Sequence, residues 1–312
     1  MLVESKAGRH AVLAKRIVDA SGDCDVARFA GAPTRKTAKE RMLPVTVMFS
    51  CVGVDRARFL AYVRDNPSKY RDWGNEWQIE TDGKEDELFS PYLDKPFAQA
   101  RAAGVIPPGL TSIGGTWGTI NDAGEATYLN MVHMPFFDGT DPFDLTRAEI
   151  EGRQQALQAI RALQHFAPGF ATAKLRNFGM TLGVRDTHKI VGRVHLTEQH
   201  VRDQARFDDA VGIFPEFLDG YGVLVLPTTG RYWQVPFGAL VPHGVDNLLV
   251  AGRGVAGDEL SHSSTRNMMC CTVTGQAAGV AAAVSLRTGT TTANVSVAAV
   301  QQELRRQGVR IA

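Results

Sequence analysis

A chain of 312 residues is long enough to bury a substantial core and to form one or two domains. Its 44% hydrophobic and 21% charged residues lie near globular averages, which excludes disordered and fibrous classes. A formal net charge of +1 leaves no electrostatic footprint for nucleic acid or for an anionic membrane surface.

In chain order, two short β-like runs, Leu2 to Glu4 and His10 to Leu13, flank the turn KAGR. The stretch MLVESKAGRHAVLAKR lacks the apolar core of a secretory signal. Ile17 and Val18 read as a short buried strand, Ser21-Gly22 as a turn, and Cys24 to Ala30 as a helical turn ended by Gly31 and Pro33. LPVTVMFSCVGVD reads as one long strand rich in β-branched residues. Residues 55 to 110 are mixed and punctuated by proline, and no element order follows from them.

The runs GTWGTI and EATYLNMVH flank NDAG, a hairpin signal. Thr146 and Glu149 form a T-x-x-E capping box that predicts a helix from there to about Phe166, stopped by Pro168-Gly169. Thr197 caps a shorter helix. YGVLVLP, RYWQVPFGALVP and DNLLVAG read as strands. CTVTGQAAGVAAAVSL reads as a buried helix, with Gly275 and Gly279 admitting a closely packed neighbour. The last amphipathic helix, VAAVQQELRRQ, stops at Gly308. No apolar run approaches the roughly 20 residues that cross a bilayer. Cys24, Cys51, Cys270 and Cys271 show no zinc spacing, so the expectation is no metal site, free thiols and a cytoplasmic setting.

Gly252, Gly254 and Gly257 spell G-x-G-x-x-G directly after an apolar run. A dinucleotide turn needs a helix at once and an acidic residue roughly 20 positions further on. Here the polar DELSHSS follows, with helix expected only from about Ser264, and no Asp or Glu occurs between Glu259 and Glu303. Two other readings stand side by side. One is a helix N-terminus near Ser264-Thr265 open toward an electron-rich ligand; the other is a buried core helix preceded by a loop. The pair Asp23 and Asp25 has the D-x-D look of a magnesium phosphohydrolase, but Ser21-Gly22 separates it from the strand end such a site requires.

Taken in order, AKRIVDASGDCDVARFAGAP, LPVTVMFSCVGVD, DLTRAEIEGRQQALQAIR, PGFATAKL, LGVRDTHKIVG, VPFGALVPHGVDNLLVAGRGVAG and TGQAAGVAAA resemble the FAD-dependent oxidoreductases with a glutathione-reductase-like flavin fold. The resemblance covers most of the chain and is weakest over residues 56 to 110. It implies a mixed α/β fold: a partial FAD/NAD(P)-binding-type flavin domain with an inserted α+β substrate domain. The implied boundaries are 1–35 and 235–290 for a discontinuous partial flavin domain, 36–234 for the substrate domain, and 291–312 for a C-terminal helix. The family's N-terminal dinucleotide-binding βαβ unit has no counterpart here, so the chain corresponds to the larger, C-terminal part of such an enzyme.

The resemblance also implies FAD as cofactor and a small-molecule substrate. Asp19, Ala20, Ser21, Gly22 and Asp23 match the turn under the adenosine-diphosphate half, where glycine admits close approach. Gly252 and Arg253 match the turn beside the flavin and ribityl chain, with Asp258 a candidate neighbour. Ser264, Thr265 and Arg266 match the segment near the pyrimidine edge. For proton handling the candidates are His133, His188, His262, Arg185, Tyr232 and Trp233; His262 leads, with Arg266 and Arg185 as further catalytic candidates. For each lone histidine a solvated or hydrogen-bonded structural role is the plainer reading, and Trp233 is more readily core than substrate platform. The surface left by the absent unit implies self-association or a partner chain; a cofactor-free relative acting as a fragment or subunit is the other reading.

Overall fold

The computed structural model describes residues 1–73, 78–81, 89–227 and 230–312, and its architecture is mixed α/β. In chain order the α-helices among the described residues are α1 (Asp25–Phe29), α2 (Arg56–Asp65), α3 (Asp94–Ala102), α4 (Pro142–Phe166), α5 (Glu198–Arg202), α6 (Glu259–Thr265), α7 (Met268–Arg287) and α8 (Val297–Arg306). The chain divides into two compact units. The first holds Met1–Lys36, His188–Gly220 and Pro227–Ala312; the second holds Thr37–Thr187 and Tyr221–Leu226. This division puts His188–Gly220 and the terminal helix in the first unit, where the sequence analysis assigns 36–234 to one domain and sets 291–312 apart.

The first unit is organised by long-range pairing of short strands. Ile17–Asp19 runs parallel to Leu248–Val250, and Ala210–Pro215 pairs antiparallel with Tyr232–Pro236. Thr34–Lys36 pairs with His188–Ile190, and the N-terminal strands Leu2–Ser5 and Gly8–Ala11 form an antiparallel hairpin. Val18 is 37% exposed, so the strand expected to be buried is covered on only part of its surface. Trp233 is fully buried beside Phe214, a core residue.

Helix α7, expected from the sequence as a buried helix, is 20 residues long and, by length and composition alone, apolar enough to cross a membrane, where no apolar run of that length was expected. Eight of its residues, among them Ala277, Ala278, Ala281 and Val284, are buried in this fold. Gly275 and Gly279 lie on its exposed face, and a methyl group at either would meet nothing within 4 Å. The close neighbour expected at these glycines is therefore absent among the described residues. Ser296 caps α8 by accepting the Ala299 N–H, and Gly308 takes the left-handed conformation (φ +82°) just beyond it.

The second unit is a sheet with helices packed on it. Ile113–Thr116, Ala126–Met134, Phe49–Val52 and Lys174–Phe178 lie in that order, with Thr119–Ile120 and Val45–Thr46 also paired to Ala126–Met134. The expected single strand over LPVTVMFSCVGVD is broken between Thr46 and Phe49. Its first half pairs with His133 and Met134, while its second half serves both Ala126–Met134 and Lys174–Phe178. The NDAG hairpin forms: Asn121 Oδ1 accepts the Glu125 N–H at 2.9 Å, and Gly124 has φ +75°.

Helix α4 starts a turn earlier than the capping box predicts. Asp141 caps it and Pro142 sits at its first position, where the missing N–H costs nothing. Thr146 and Glu149 lie inside the helix; the Thr146 hydroxyl donates to the Pro142 carbonyl, and Glu149 accepts the Leu182 N–H. In the core below, Phe59 from α2 meets Trp117 and Phe170 edge-on, with centroids 5.2 and 5.1 Å apart.

Candidate functional site

The site in the first unit is built where two parallel strands end. Asp19 closes the first strand at 1% exposure. Its carboxylate accepts the Ser21 N–H (2.9 Å), the Ser21 hydroxyl (2.7 Å) and the Ala27 N–H (2.8 Å), and the Ser21 hydroxyl in turn accepts the Asp25 N–H (3.0 Å). Three of the four acceptor positions of Asp19 thus hold its own turn and the start of α1. Ala20 and Ser21 are exposed at the tip of that turn, next to Gly22 at φ +91°.

The second strand ends in the turn Gly252–Gly254, and the two turns are fastened together. Arg253 Nη2 donates to Asp23 Oδ1 at 2.9 Å, and its guanidinium lies across Gly22: a Cβ there would sit 2.5 Å from Nη2. The close approach that glycine admits at residue 22 is therefore made by an arginine of this chain. The motif glycines have similarly local reasons. Gly252 has φ +75°, Gly254 packs on the Cys24 sulfur, and Gly257 packs on the Ser261 hydroxyl. With Asp23 engaged by Arg253, and Asp25 in the first turn of α1 facing Arg28 at 3.9 Å, both members of the D-x-D pair have partners of their own.

After Gly257 the polar segment DELSHSS is helical, contrary to expectation. Asp258 caps α6 by accepting the Ser261 N–H (2.7 Å) and also accepts the Glu198 N–H that starts α5 (3.0 Å). Its carboxylate is thereby committed to two helix starts. Ser264 and Thr265 consequently lie in the last turn of α6, whereas the sequence analysis puts them at a helix N-terminus. That N-terminus falls at Asn267 and Met268. Asn267 turns its side chain back to the Ser263 and Ser264 carbonyls and makes no cap bond to α7, whose first two residues, Met268 and Met269, are exposed.

Around this junction polar atoms are buried without hydrogen-bond partners among the described residues: Ser264 Oγ, Arg253 Nε and Arg266 Nε. Arg266 is aimed by Asp219, whose backbone carbonyl and carboxylate accept its Nη2 at 2.5 and 2.7 Å. The Cys271 thiol donates to the Thr265 and Arg266 carbonyls. Burial raises the pKa of Cys271, and the charges of Arg253 and Arg266 act against that rise. A cluster of two guanidiniums, a buried hydroxyl and an uncapped helix start is suited to hold an electron-rich or anionic group.

Of the remaining candidates, His262 sits in α6 at 1% exposure. His188 lies beside the Thr34 hydroxyl at 3.1 Å, and Tyr232 is flanked by the guanidiniums of Arg206 and Arg310. Arg185 and His133 belong to the second unit. Several contributors went unread in the sequence. Cys24, at φ +58°, donates its thiol to the His188 and Gly254 carbonyls, and burial with the nearby Asp19 charge pushes its pKa up to about 12. The Thr274 hydroxyl accepts the Gly252 N–H, and Asp219 orients Arg266. No local pattern marks these three residues, because each is defined by a partner far away in the chain.

A family model described as FAD dependent oxidoreductase matches residues 1–304 of the chain. No curated protein and no solved structure matches it.

Proposed function

The chain belongs to the FAD dependent oxidoreductase family, and from that premise we propose that it moves hydride between a small organic substrate and flavin. FAD is the cofactor the family implies, and when bound it supplies the two-electron acceptor that protein side chains lack. The residues present fit it. Buried polar atoms are normally paired, so the unpartnered Ser264 Oγ, Arg253 Nε and Arg266 Nε suit a polar cofactor that would satisfy them. That unsatisfied cluster is the observation that carries the reading.

In this reading the turns at Ser21–Asp23 and Gly252–Arg253 would hold the cofactor, with Ser264 and Thr265 as further polar contacts. The Arg266 guanidinium, braced by Asp219, would offer positive charge to stabilise an electron-rich cofactor. His262 handles the proton, its burial keeping bulk water away. The four free cysteines support a cytoplasmic site of action. Nucleic acid and membrane play no part in the reading.

A second reading, a non-catalytic fragment or subunit, draws on one feature. The strand Ile17–Asp19 pairs on one edge only among the described residues, and an unpaired strand edge offers its backbone N–H and C=O groups to another chain. Beside it α7 exposes Met268, Thr272, Gly275 and Gly279, a face without charge. A partner chain or a second copy would pair with that edge or cover that face.

The test is the visible absorption spectrum of the purified protein, with identification of any cofactor released on heating. Stoichiometric FAD supports the oxidoreductase reading. A colourless protein that takes up no added FAD overturns it for the chain alone and supports the fragment or subunit reading.

A further inference from the structure

The second unit contains a cavity of about 310 Å³ that no residue of the flavin turns lines. It lies between the end of α2, the strand Phe89–Ser90 and the start of α3, and its volume is at the lower end of the roughly 300–1,000 Å³ usual for small-ligand sites. Its aromatic lining comes from Tyr62, Phe89, Tyr92 and Trp117. These rings are held in place by their neighbours. Trp117 meets Phe59 edge-on (5.2 Å, 87°) and Phe89 at 6.1 Å, and Tyr92 stacks on Trp73 (5.3 Å, 24°). Trp73 is fixed in turn by its indole N–H, which donates to the buried Ser90 hydroxyl at 2.6 Å.

The charged residues of the lining are Asp72, Asp94 and Lys95. Lys95 Nζ already donates to Asn66 Oδ1 at 3.0 Å, and Asp72 accepts the Lys69 N–H at 3.0 Å. Asp94 makes no ion pair among the described residues, and its charge reaches the cavity: together with burial, the larger cause, it raises the pKa of the Tyr62 hydroxyl. Two carboxylates against one ammonium leave the lining with one net negative charge, and aromatic faces attract cations through their quadrupoles.

We infer that this cavity binds a small organic cation, an amine carried on an apolar or aromatic body. The inference rests on no part of the flavin reading, and its test needs no bound cofactor. The full-length protein is titrated with phenethylamine, and in parallel with phenylacetate and 2-phenylethanol, which keep the ring and change the charge. Calorimetry and tryptophan fluorescence are the readouts.

The amine is expected to bind saturably at one site, about tenfold more tightly than the alcohol or the acid. Asp94→Asn, an exposed position whose variant should keep the wild-type urea midpoint, is expected to weaken the amine several-fold and leave the alcohol unchanged. Trp117→Phe is expected to weaken the amine as well. Equal binding of amine and acid, an Asp94→Asn variant with undiminished amine affinity, or no saturable binding by any of the three would overturn the inference.

Discussion

Gly22→Ala probes the fastening between the two strand-end turns. The new methyl group would meet Arg253 at 2.5 Å from Nη2, 2.8 Å from Cζ and 2.9 Å from Nη1, at a backbone φ of +91°. An alanine held at positive φ costs about 1–2 kcal/mol. The guanidinium is the free end of a flexible side chain, so it swings aside and its 2.9 Å bond to Asp23 is lost. The two side chains are 28% and 21% exposed, so this charge-assisted bond is partly screened and contributes about 1–2 kcal/mol. The expected loss is therefore about 2–4 kcal/mol in urea unfolding. In an Arg253→Ala background only the backbone part remains, about 1–2 kcal/mol, which leaves a coupling of about 1–2 kcal/mol in the double-mutant cycle. An equal penalty for Gly22→Ala in both backgrounds would refute the clamp.

Three further outcomes follow from the geometry. Ser264→Ala removes a buried hydroxyl with no partner among the described residues, so cofactor-free stability should hold or rise by up to about 1 kcal/mol, while FAD affinity drops by about tenfold; titration of both forms with FAD decides it, and unchanged affinity would remove Ser264 from the site. Gly275→Ala and Gly279→Ala, on the open face of α7, should each stabilise the protein by about 0.5–1 kcal/mol through helix propensity, and a loss of stability would mean that a neighbour does pack there. The Asp144 carboxyl is held below its ordinary value by the hydrogen bond from Lys39, then by the Asp138 N–H and the charges of Lys39 and Arg147, against the opposing effect of burial. Because the folded pKa lies below the unfolded one, this stabilisation is present above about pH 4 and lost as pH falls through the folded value. Asp144→Asn should flatten the acid limb of stability against pH, and an unchanged limb would contradict the assignment.

Signals that act over a few residues were legible. Asn121 and Gly124 make the NDAG hairpin because their own backbone geometry suffices, and Thr197 caps α5 by accepting the His200 N–H. The start of α4 was misread because two caps compete there. Asp141 with Pro142 precedes the Thr146–Glu149 pair, and the earlier cap with proline at the first position prevails. At DELSHSS the polar composition concealed a helix, since Asp258 both caps α6 and joins it to α5.

Taken by itself, then, the sequence determined the mixed α/β class, the local turns, the helices α1, α5, α7 and α8 with the end of α4, and the ordered segments by which the family resemblance was recognised. All of these are encoded in residues close to one another along the chain. Only the tertiary structure decided what the matching residues touch. It turned Asp19 and Asp258 inward as hydrogen-bond hubs, set the Arg253 guanidinium on Gly22, and left Ser264 Oγ buried and unpaired. The Arg253–Asp23 bond joins residues 230 positions apart. No local pattern encodes such a pairing, because it exists only once the strands Ile17–Asp19 and Leu248–Val250 align in parallel and bring their ends together.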